Sequence, residues 1–315
     1  MKGLPSLGWA VTVLFAVALV SVSGRSLAQQ PRVTHYVDDY AGAFSPDGSA
    51  IVYQRSFSSA RYGVDTHPVG KRAVVRVMRA DGSRKRVFRH AGAKFENDPS
   101  FSPDGRSILF VRNDRIFLMR RNGRGAHAVR RDTLAQACPR FSPDGSKISF
   151  WRGRRGTGAY FVMNADGTSL RRIGPPSLNE VPWGCPSWFP DSTRVVFARL
   201  FNLYVAAIDG SSVEQITHGD NVFYRPSVSP DGRLIVCDGV GRRTGYGLIL
   251  MFADGTGISQ ITTGQDEIDN DAGASWSPDG RQIVFSGYRG RFEGAGIYVV
   301  NRDGSGLRRL SNFRR

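Results

Sequence analysis

Histidine is scarce in this 315-residue chain, and the motifs of the common hydrolases are missing from it. There is no G-x-S-x-G nucleophile elbow and no H-E-x-x-H zinc motif, so neither an α/β-hydrolase nor a zinc peptidase is indicated. The five histidines lie far apart without the spacing of metal ligands: His35, His67, His90, His127 and His218. The sequence therefore identifies no candidate catalytic residue. It favours a non-enzymatic protein, with an enzymatic role as the alternative.

Lysine is nearly absent as well, and 38 of the 43 basic residues are arginines. The formal net charge of +16 raises the question of nucleic-acid binding. However, the arginines are spread along the whole chain, and no nucleic-acid-binding motif is present. A nucleic-acid partner is not expected. An acidic envelope polymer or an anionic surface is the better electrostatic match.

Long apolar runs are missing beyond residue 22. Before it, Lys2 precedes the apolar run 7–22, and Ser26-Leu27-Ala28 places small residues before Gln29, which together predict a secretory signal peptide over residues 1–28. The alternative is an uncleaved anchor, but a run of 16 residues is shorter than the roughly 20 that span a bilayer. The sequence therefore predicts an exported protein, periplasmic or extracellular, with no transmembrane segment in the mature chain.

One short motif, by contrast, recurs six times. Its proline occupies positions 46, 103, 143, 190, 230 and 278, in the sequences FSPDG, FSPDG, FSPDG, WFPDS, VSPDG and WSPDG. Successive prolines are 57, 40, 47, 40 and 48 residues apart. Repeats of about 40 to 50 residues are typical of the four-stranded blades of a β-propeller.

Each repeat has the residues of a four-stranded blade. Proline, aspartate and glycine favour a tight turn between a first and a second strand. Residues five to seven places after the proline are mostly apolar, which predicts a second strand buried on both faces. A third strand then runs into an Asp-Gly or Asn-Gly turn, the strongest short hairpin signal. The predicted fold is all-β: a six-bladed β-propeller of four-stranded antiparallel blades over residues 41–315.

The SPDG turn and the strand ending in Met-Asn-Ala-Asp-Gly at 163–167 resemble the WD40-like PD40 repeats of the TolB-type propeller family. The resemblance covers essentially all of residues 41–315. It implies a protein-interaction role in the cell envelope. The α/β domain that precedes the propeller in TolB is not expected here, because residues 29–40 alone separate the leader from the first blade. That segment is predicted to be a candidate closing strand for the last blade, with 307–310 as the other candidate.

The three cysteines divide into one core residue and one candidate pair. Cys237 takes a position where most repeats have phenylalanine, which predicts burial between blades. Cys138 and Cys185 both lie five residues before their motif proline, on innermost strands of neighbouring blades. In an exported protein they are a candidate disulfide. The alternative is two separate small residues at the channel mouth.

Carboxylates are concentrated in the segments that lead into the innermost strands of blades six, one and two. These segments open opposite the proline turns, so the sequence predicts an arc of carboxylates along one side of the central funnel. The candidate ligand-binding residues at this rim are Asp39, Asp98, Asp271, Asp269, Glu96, Arg225 and Trp183. The alternative is a solvated rim in which carboxylates and arginines pair with one another.

The predicted function is that of a monomeric, exported, non-enzymatic interaction module that binds a protein or another envelope component. The alternative is a ligand- or metal-binding propeller, enzymatic or not, that uses the acidic funnel. In that case Ca²⁺ is the candidate cation, since it prefers oxygen ligands. No other cofactor is expected.

Overall fold

The computed structural model describes the backbone of residues 33–61, 69–88, 95–154, 157–175, 184–241, 245–262, 268–289 and 295–311. These residues form 24 strands in six antiparallel sheets, each built from four strands that are consecutive in the chain. The strands are β1 (Val33–Phe44), β2 (Ala50–Arg61), β3 (Val69–Arg79), β4 (Arg86–Val87), β5 (Glu96–Phe101), β6 (Ser107–Arg112), β7 (Arg115–Arg120), β8 (His127–Ala128), β9 (Ala135–Phe141), β10 (Lys147–Arg154), β11 (Thr157–Asn164), β12 (Arg171–Arg172), β13 (Ser187–Trp188), β14 (Arg194–Arg199), β15 (Asn202–Ala207), β16 (Val213–Gln215), β17 (Val222–Val228), β18 (Leu234–Gly241), β19 (Gly245–Phe252), β20 (Ser259–Gln260), β21 (Ile268–Trp276), β22 (Gln282–Arg289), β23 (Gly296–Asn301) and β24 (Arg308–Arg309).

The predicted six-bladed propeller is therefore confirmed. Within each blade the four strands are hydrogen-bonded in chain order from the innermost to the outermost. The described residues contain no helix that is long and apolar enough to cross a membrane.

The SPDG motif forms the turn between the first and second strands of each blade. In blade two, the Gly105 N–H donates to the Ser102 carbonyl at 2.8 Å, which closes the turn. The Ser102 hydroxyl donates to Asp104 at 2.6 Å and accepts from the Ser107 N–H at 2.9 Å. The hydrogen bond from Ser102 lowers the pKa of Asp104. In blade four Ser192 replaces the turn glycine and has the same left-handed backbone, with a φ of 58°.

The core lies between the blades rather than within them. Second-strand residues such as Ile51, Val52 and Tyr53 are completely buried, because consecutive side chains pack against opposite neighbouring sheets. This confirms the prediction that both faces of the second strand are buried. Cys237 is also fully buried, in the cluster that joins blades four and five.

Blades six and one close the ring by packing, without exchanging a strand. Ile51 and Tyr53 of blade one pack against Val284 and Val299 of blade six. At the same seam, the Ala295 N–H donates to the Asp38 carboxylate at 2.9 Å, and the Asp39 N–H donates to the Ala295 carbonyl at 2.8 Å. The Tyr40 and Tyr288 hydroxyls are hydrogen-bonded across the seam as well.

Of the two segments expected as the closing strand, the structure uses the C-terminal one, since β24 is the outer strand of blade six. The segment 33–40 instead lengthens β1, where Val33 pairs with Arg61 and Tyr40 with Gln54. The physical reason is the length of β2. Its 12 residues continue past the stretch that pairs with the second half of β1 as far as Arg61, so residues 33–40 find their backbone partners inside blade one. The described part of the N-terminal segment therefore belongs to blade one, and β24 is the outermost strand of blade six.

Candidate functional site

The innermost strands of the six blades surround a central channel with a cavity of about 310 Å³. Two rings of equivalent positions line or border it, five and three residues before each motif proline. The outer ring consists of Ala41, Asp98, Cys138, Cys185, Arg225 and Gly273, and the inner ring of Ala43, Ser100, Arg140, Ser187, Ser227 and Ser275.

A left-handed residue recurs in the outer ring. Ala41, Asp98, Cys138 and Arg225 have φ values of 53°, 52°, 56° and 45°. Each of these residues lies where the pairing of the innermost strand shifts register, which is the mark of a β-bulge. A bulge re-aims the side chain that it carries. The bulges at Asp98 and Arg225 therefore turn these two side chains toward the cavity that they line.

Arg225 is the cation of the outer ring. Its Nη1 donates to the fully buried Asp238 carboxylate at 2.8 Å. Gly184 makes room for it, because a Cβ on Gly184 would lie 2.5 Å from Arg225 Cγ.

Arg140 is the cation of the inner ring, at a position where the other blades have serine or alanine. Its Nη1 donates to two main-chain carbonyls, that of Pro139 at 2.8 Å and that of Asp98 at 3.3 Å. The Trp188 indole N–H, from the next blade, donates to the Arg140 carbonyl at 3.1 Å and holds this part of the backbone. Arg140 was not among the predicted site residues, although the aligned repeats show it as the one charged residue at a position where the others are small.

Asp98 lies beside the two channel cysteines. Its Oδ2 accepts from the Cys138 N–H at 3.1 Å. Cys138 and Cys185 form a disulfide between blades three and four, with their Cα atoms 4.8 Å apart. The Asp98 carboxylate and the two sulfur atoms lie within 4.8 Å of one another.

The predicted rim carboxylates of blades one and two are buried and paired. The Asp39 carboxylate, which has no exposed surface, accepts two hydrogen bonds of 2.6 Å from the Arg55 guanidinium. Glu96 is 1% exposed and pairs with Arg112 at 2.9 Å. Asp39 and Glu96 are therefore held inside their blades by arginines of the adjacent strand.

Blade three repeats this pairing with a carboxylate that the sequence analysis did not single out. The Arg152 Nε donates to Asp132 at 2.6 Å, and this hydrogen bond lowers the Asp132 pKa to about 2. The backbone of Asp269 and Asp271 belongs to β21, but their side chains lie outside the described residues, as does all of Trp183. No carboxylate from blade six is therefore placed at the rim.

An exposed apolar hairpin lies on the end of the propeller opposite the proline turns, which we call the hairpin face. Leu200 and Phe201 form the two-residue turn between β14 and β15, and their φ values are 44° and 67°. They are 61% and 41% exposed. The Phe201 ring packs edge-to-face on Tyr224 of blade five, with centroids 5.7 Å apart. This turn contains neither glycine nor asparagine, so its residues did not predict a two-residue hairpin turn.

Six four-stranded blades around a polar, disulfide-bridged channel define this protein as a β-propeller. The sequence profile of the family described as TolB beta propeller domain matches residues 62–314. The chain belongs to this family.

The relatives and solved structures that resemble this chain include an uncharacterized protein, TolB and proteins named as enzymes. The uncharacterized protein Atu1656 of Agrobacterium fabrum is 26% identical over 71% of this chain and 77% of its own length. The uncharacterized peptidase YuxL of Bacillus subtilis is 26% identical over 60% of this chain, which spans only 29% of YuxL. TolB from Acinetobacter baumannii superposes with a TM-score of 0.63 at 14% identity, over 86% of this chain and 77% of that one. An oligogalacturonate lyase in complex with manganese gives 0.57 at 14% identity, over 88% and 78%. At these identities the solved structures support the fold alone.

Proposed function

We propose that this protein is an exported, non-enzymatic interaction module, and that it binds a partner protein through its hairpin face. The observation that carries the proposal is the Leu200–Phe201 turn: two large apolar side chains in left-handed backbone, exposed at the tip of a hairpin.

The backbone of this turn is unfavourable for its residues. Positive φ at both central positions is the geometry of a type I′ turn, which asparagine, aspartate and glycine adopt readily and bulky residues do not. Blade two has the same two-residue turn with Asn113 and Asp114, at φ values of 47° and 60°. Left-handed backbone costs a non-glycine residue on the order of 1–3 kcal/mol, and such strain is concentrated at functional sites. Hairpin closure alone does not explain Leu200 and Phe201.

Other blades also carry exposed apolar side chains at this end of the propeller. Of the seven exposed large hydrophobic side chains among the described residues, five belong to the hairpin face: Phe57, Phe95, Leu200, Phe201 and Val240. Exposed apolar side chains are found at protein–protein interaction sites, where aromatic anchors supply much of the affinity. Arg199 adjoins the turn, and the chain carries a net charge of +16. The partner that fits is a protein with an apolar pocket bordered by carboxylates.

Export and the absence of catalysis remain parts of the proposal. The predicted leader lies outside the described residues. The two histidines whose side chains are described, His127 and His218, are exposed on the blades and do not line the channel. This placement supports binding rather than acid–base chemistry in the channel.

We expect the double variant Leu200→Asn/Phe201→Asp, which copies the turn of blade two, to lose the partner while keeping or raising the melting temperature. The partner is first captured by wild-type propeller from the envelope fraction of its own cells, and its affinity for each variant is then measured. Removal of two apolar anchors should weaken binding by about tenfold or more.

The matched control is Ile258→Asn, which removes an apolar side chain that is 42% exposed on the opposite end of the propeller. It should leave the affinity unchanged. Equal affinity of wild type and the double variant, at equal thermal stability, would refute binding through this face.

A cation site at Asp98 is the second candidate function. Asp98 lines the cavity beside the two cysteine sulfur atoms, and one structural neighbour was solved with manganese. If the carboxylate holds a cation, millimolar Ca²⁺ or Mn²⁺ should raise the melting temperature by mass action, and Asp98→Asn should remove the increase. An unchanged melting temperature with both cations rules this candidate out.

A further inference from the structure

Arg140 differs from the other partly buried arginines of the innermost two strands. Arg55, Arg112 and Arg152 each pair with a carboxylate at 2.6 to 2.9 Å. Among the described residues, no carboxylate oxygen lies within 4.0 Å of the Arg140 guanidinium, whose hydrogen bonds go to the carbonyls of Asp98 and Pro139. A buried charge is costly unless it is paired. Arg140 therefore lacks the partner that its counterparts have.

The Arg140 guanidinium has more N–H donors than its two hydrogen bonds use. A guanidinium has five N–H donors, and the two hydrogen bonds of Arg140 both involve Nη1. Arg140 lines the cavity of about 310 Å³. Planar guanidinium groups bind carboxylate and phosphate oxygens with pairs of parallel hydrogen bonds. Burial lowers the pKa of Arg140, and the Asp98 charge opposes that shift; an anion at the guanidinium would oppose it further.

Serine hydroxyls surround the same space. Ser187, Ser227 and Ser275 line the cavity on blades four, five and six. The Ser187 Oγ accepts from the Val228 N–H at 3.0 Å, so its own hydroxyl hydrogen can be donated elsewhere. Hydroxyl donors and one guanidinium form a donor set that matches the acceptor-only oxygens of an anion.

We propose that the central channel binds a small oxyanion, a carboxylate or a phosphate group, through the Arg140 guanidinium with hydrogen bonds from the inner-ring serines. This site is separate from the hairpin face and does not depend on partner binding there. Asp98 lies in the same cavity and opposes an anion by like-charge repulsion. The proposal therefore predicts that substitutions of Arg140 and of Asp98 change the affinity for an anion in opposite directions.

The test is isothermal titration calorimetry of the full-length mature protein with inorganic phosphate and with succinate, in a chloride buffer of constant ionic strength. We expect saturable binding of phosphate, of succinate or of both. Comparison of the two affinities shows whether the site prefers a phosphate or a carboxylate. Arg140→Met should reduce the affinity by about tenfold or more, since the hydrogen bonds between the guanidinium and the charged oxygens are lost. Asp98→Asn should increase it.

Two further variants keep the result interpretable. Arg302→Met removes the same charge from an exposed turn outside the channel and should leave the affinity unchanged. Arg140→Lys keeps the charge without the planar fork and should fall between wild type and Arg140→Met. The proposal is overturned if neither anion binds, if Arg140→Met binds as tightly as wild type, or if Arg302→Met loses as much affinity as Arg140→Met.

Discussion

The Cys237→Asp variant is expected to yield no soluble folded protein. Cys237 is completely buried between blades four and five, in a cluster with Phe223, Ile235 and Ile249. Burial already raises the pKa of its thiol well above the ordinary value. A carboxylate at this position would be an unpaired charge in an apolar site, with the buried Asp238 next to it in sequence, and it would cost on the order of several kcal/mol, a large part of the roughly 5–15 kcal/mol that stabilise a typical domain.

The measurement is the soluble fraction after expression, followed by circular dichroism of any soluble protein. Cys237→Ala is the control, because it removes only the sulfur atom and should cost about 1–2 kcal/mol as a small cavity. A soluble, cooperatively unfolding Cys237→Asp protein would show that the blades can separate at this point to hydrate the charge.

Removal of the Asp39 carboxylate is expected to give the second large effect. In Asp39→Leu the Arg55 guanidinium, 13% exposed, loses both of its 2.6 Å hydrogen bonds to Asp39. Breaking a buried ion pair from one side costs about 3–5 kcal/mol, because the remaining charge stays in a poorly hydrated place. Urea denaturation should show the free energy of unfolding falling by about this amount.

The double variant Asp39→Leu/Arg55→Met tests the cause. With neither charge present there is no uncompensated cation, so most of the lost stability should return. If the double variant is as unstable as Asp39→Leu, the loss arises instead from the seam, where the Asp39 backbone contacts Ala295.

The fold could be predicted from the sequence because its determinants are local and repeated. Proline, aspartate and glycine specify the same turn in each blade, and apolar residues five to seven places after the proline specify a strand buried on both faces. The closing strand was harder to predict. Residues 33–37 have a suitable pattern for an outer strand, and only the length of β2 decides that they pair inside blade one.

The candidate site was much less predictable, since neighbouring carboxylates in one strand have different environments. Glu96 and Asp98 are two residues apart, yet Glu96 is buried against Arg112 and Asp98 lines the channel. The left-handed bulge at Asp98 sets the direction of its side chain. No pattern of residue types in the sequence predicts this bulge. Arg140 and Leu200 could have been found by comparing the repeats position by position, because each departs from what the other blades carry there.

The disulfide and the seam lie on opposite sides of the ring. Cys138 and Cys185 join blades three and four covalently, whereas blades six and one are held by packing and hydrogen bonds alone. In a circle of six blades these two interfaces are diametrically opposed. Under mechanical tension or partial denaturation, blades six and one should therefore separate first. Blades one to three and blades four to six would then move apart as two units that stay joined by the disulfide. Such an opening would admit a chain segment sideways into the channel, without threading it through either end.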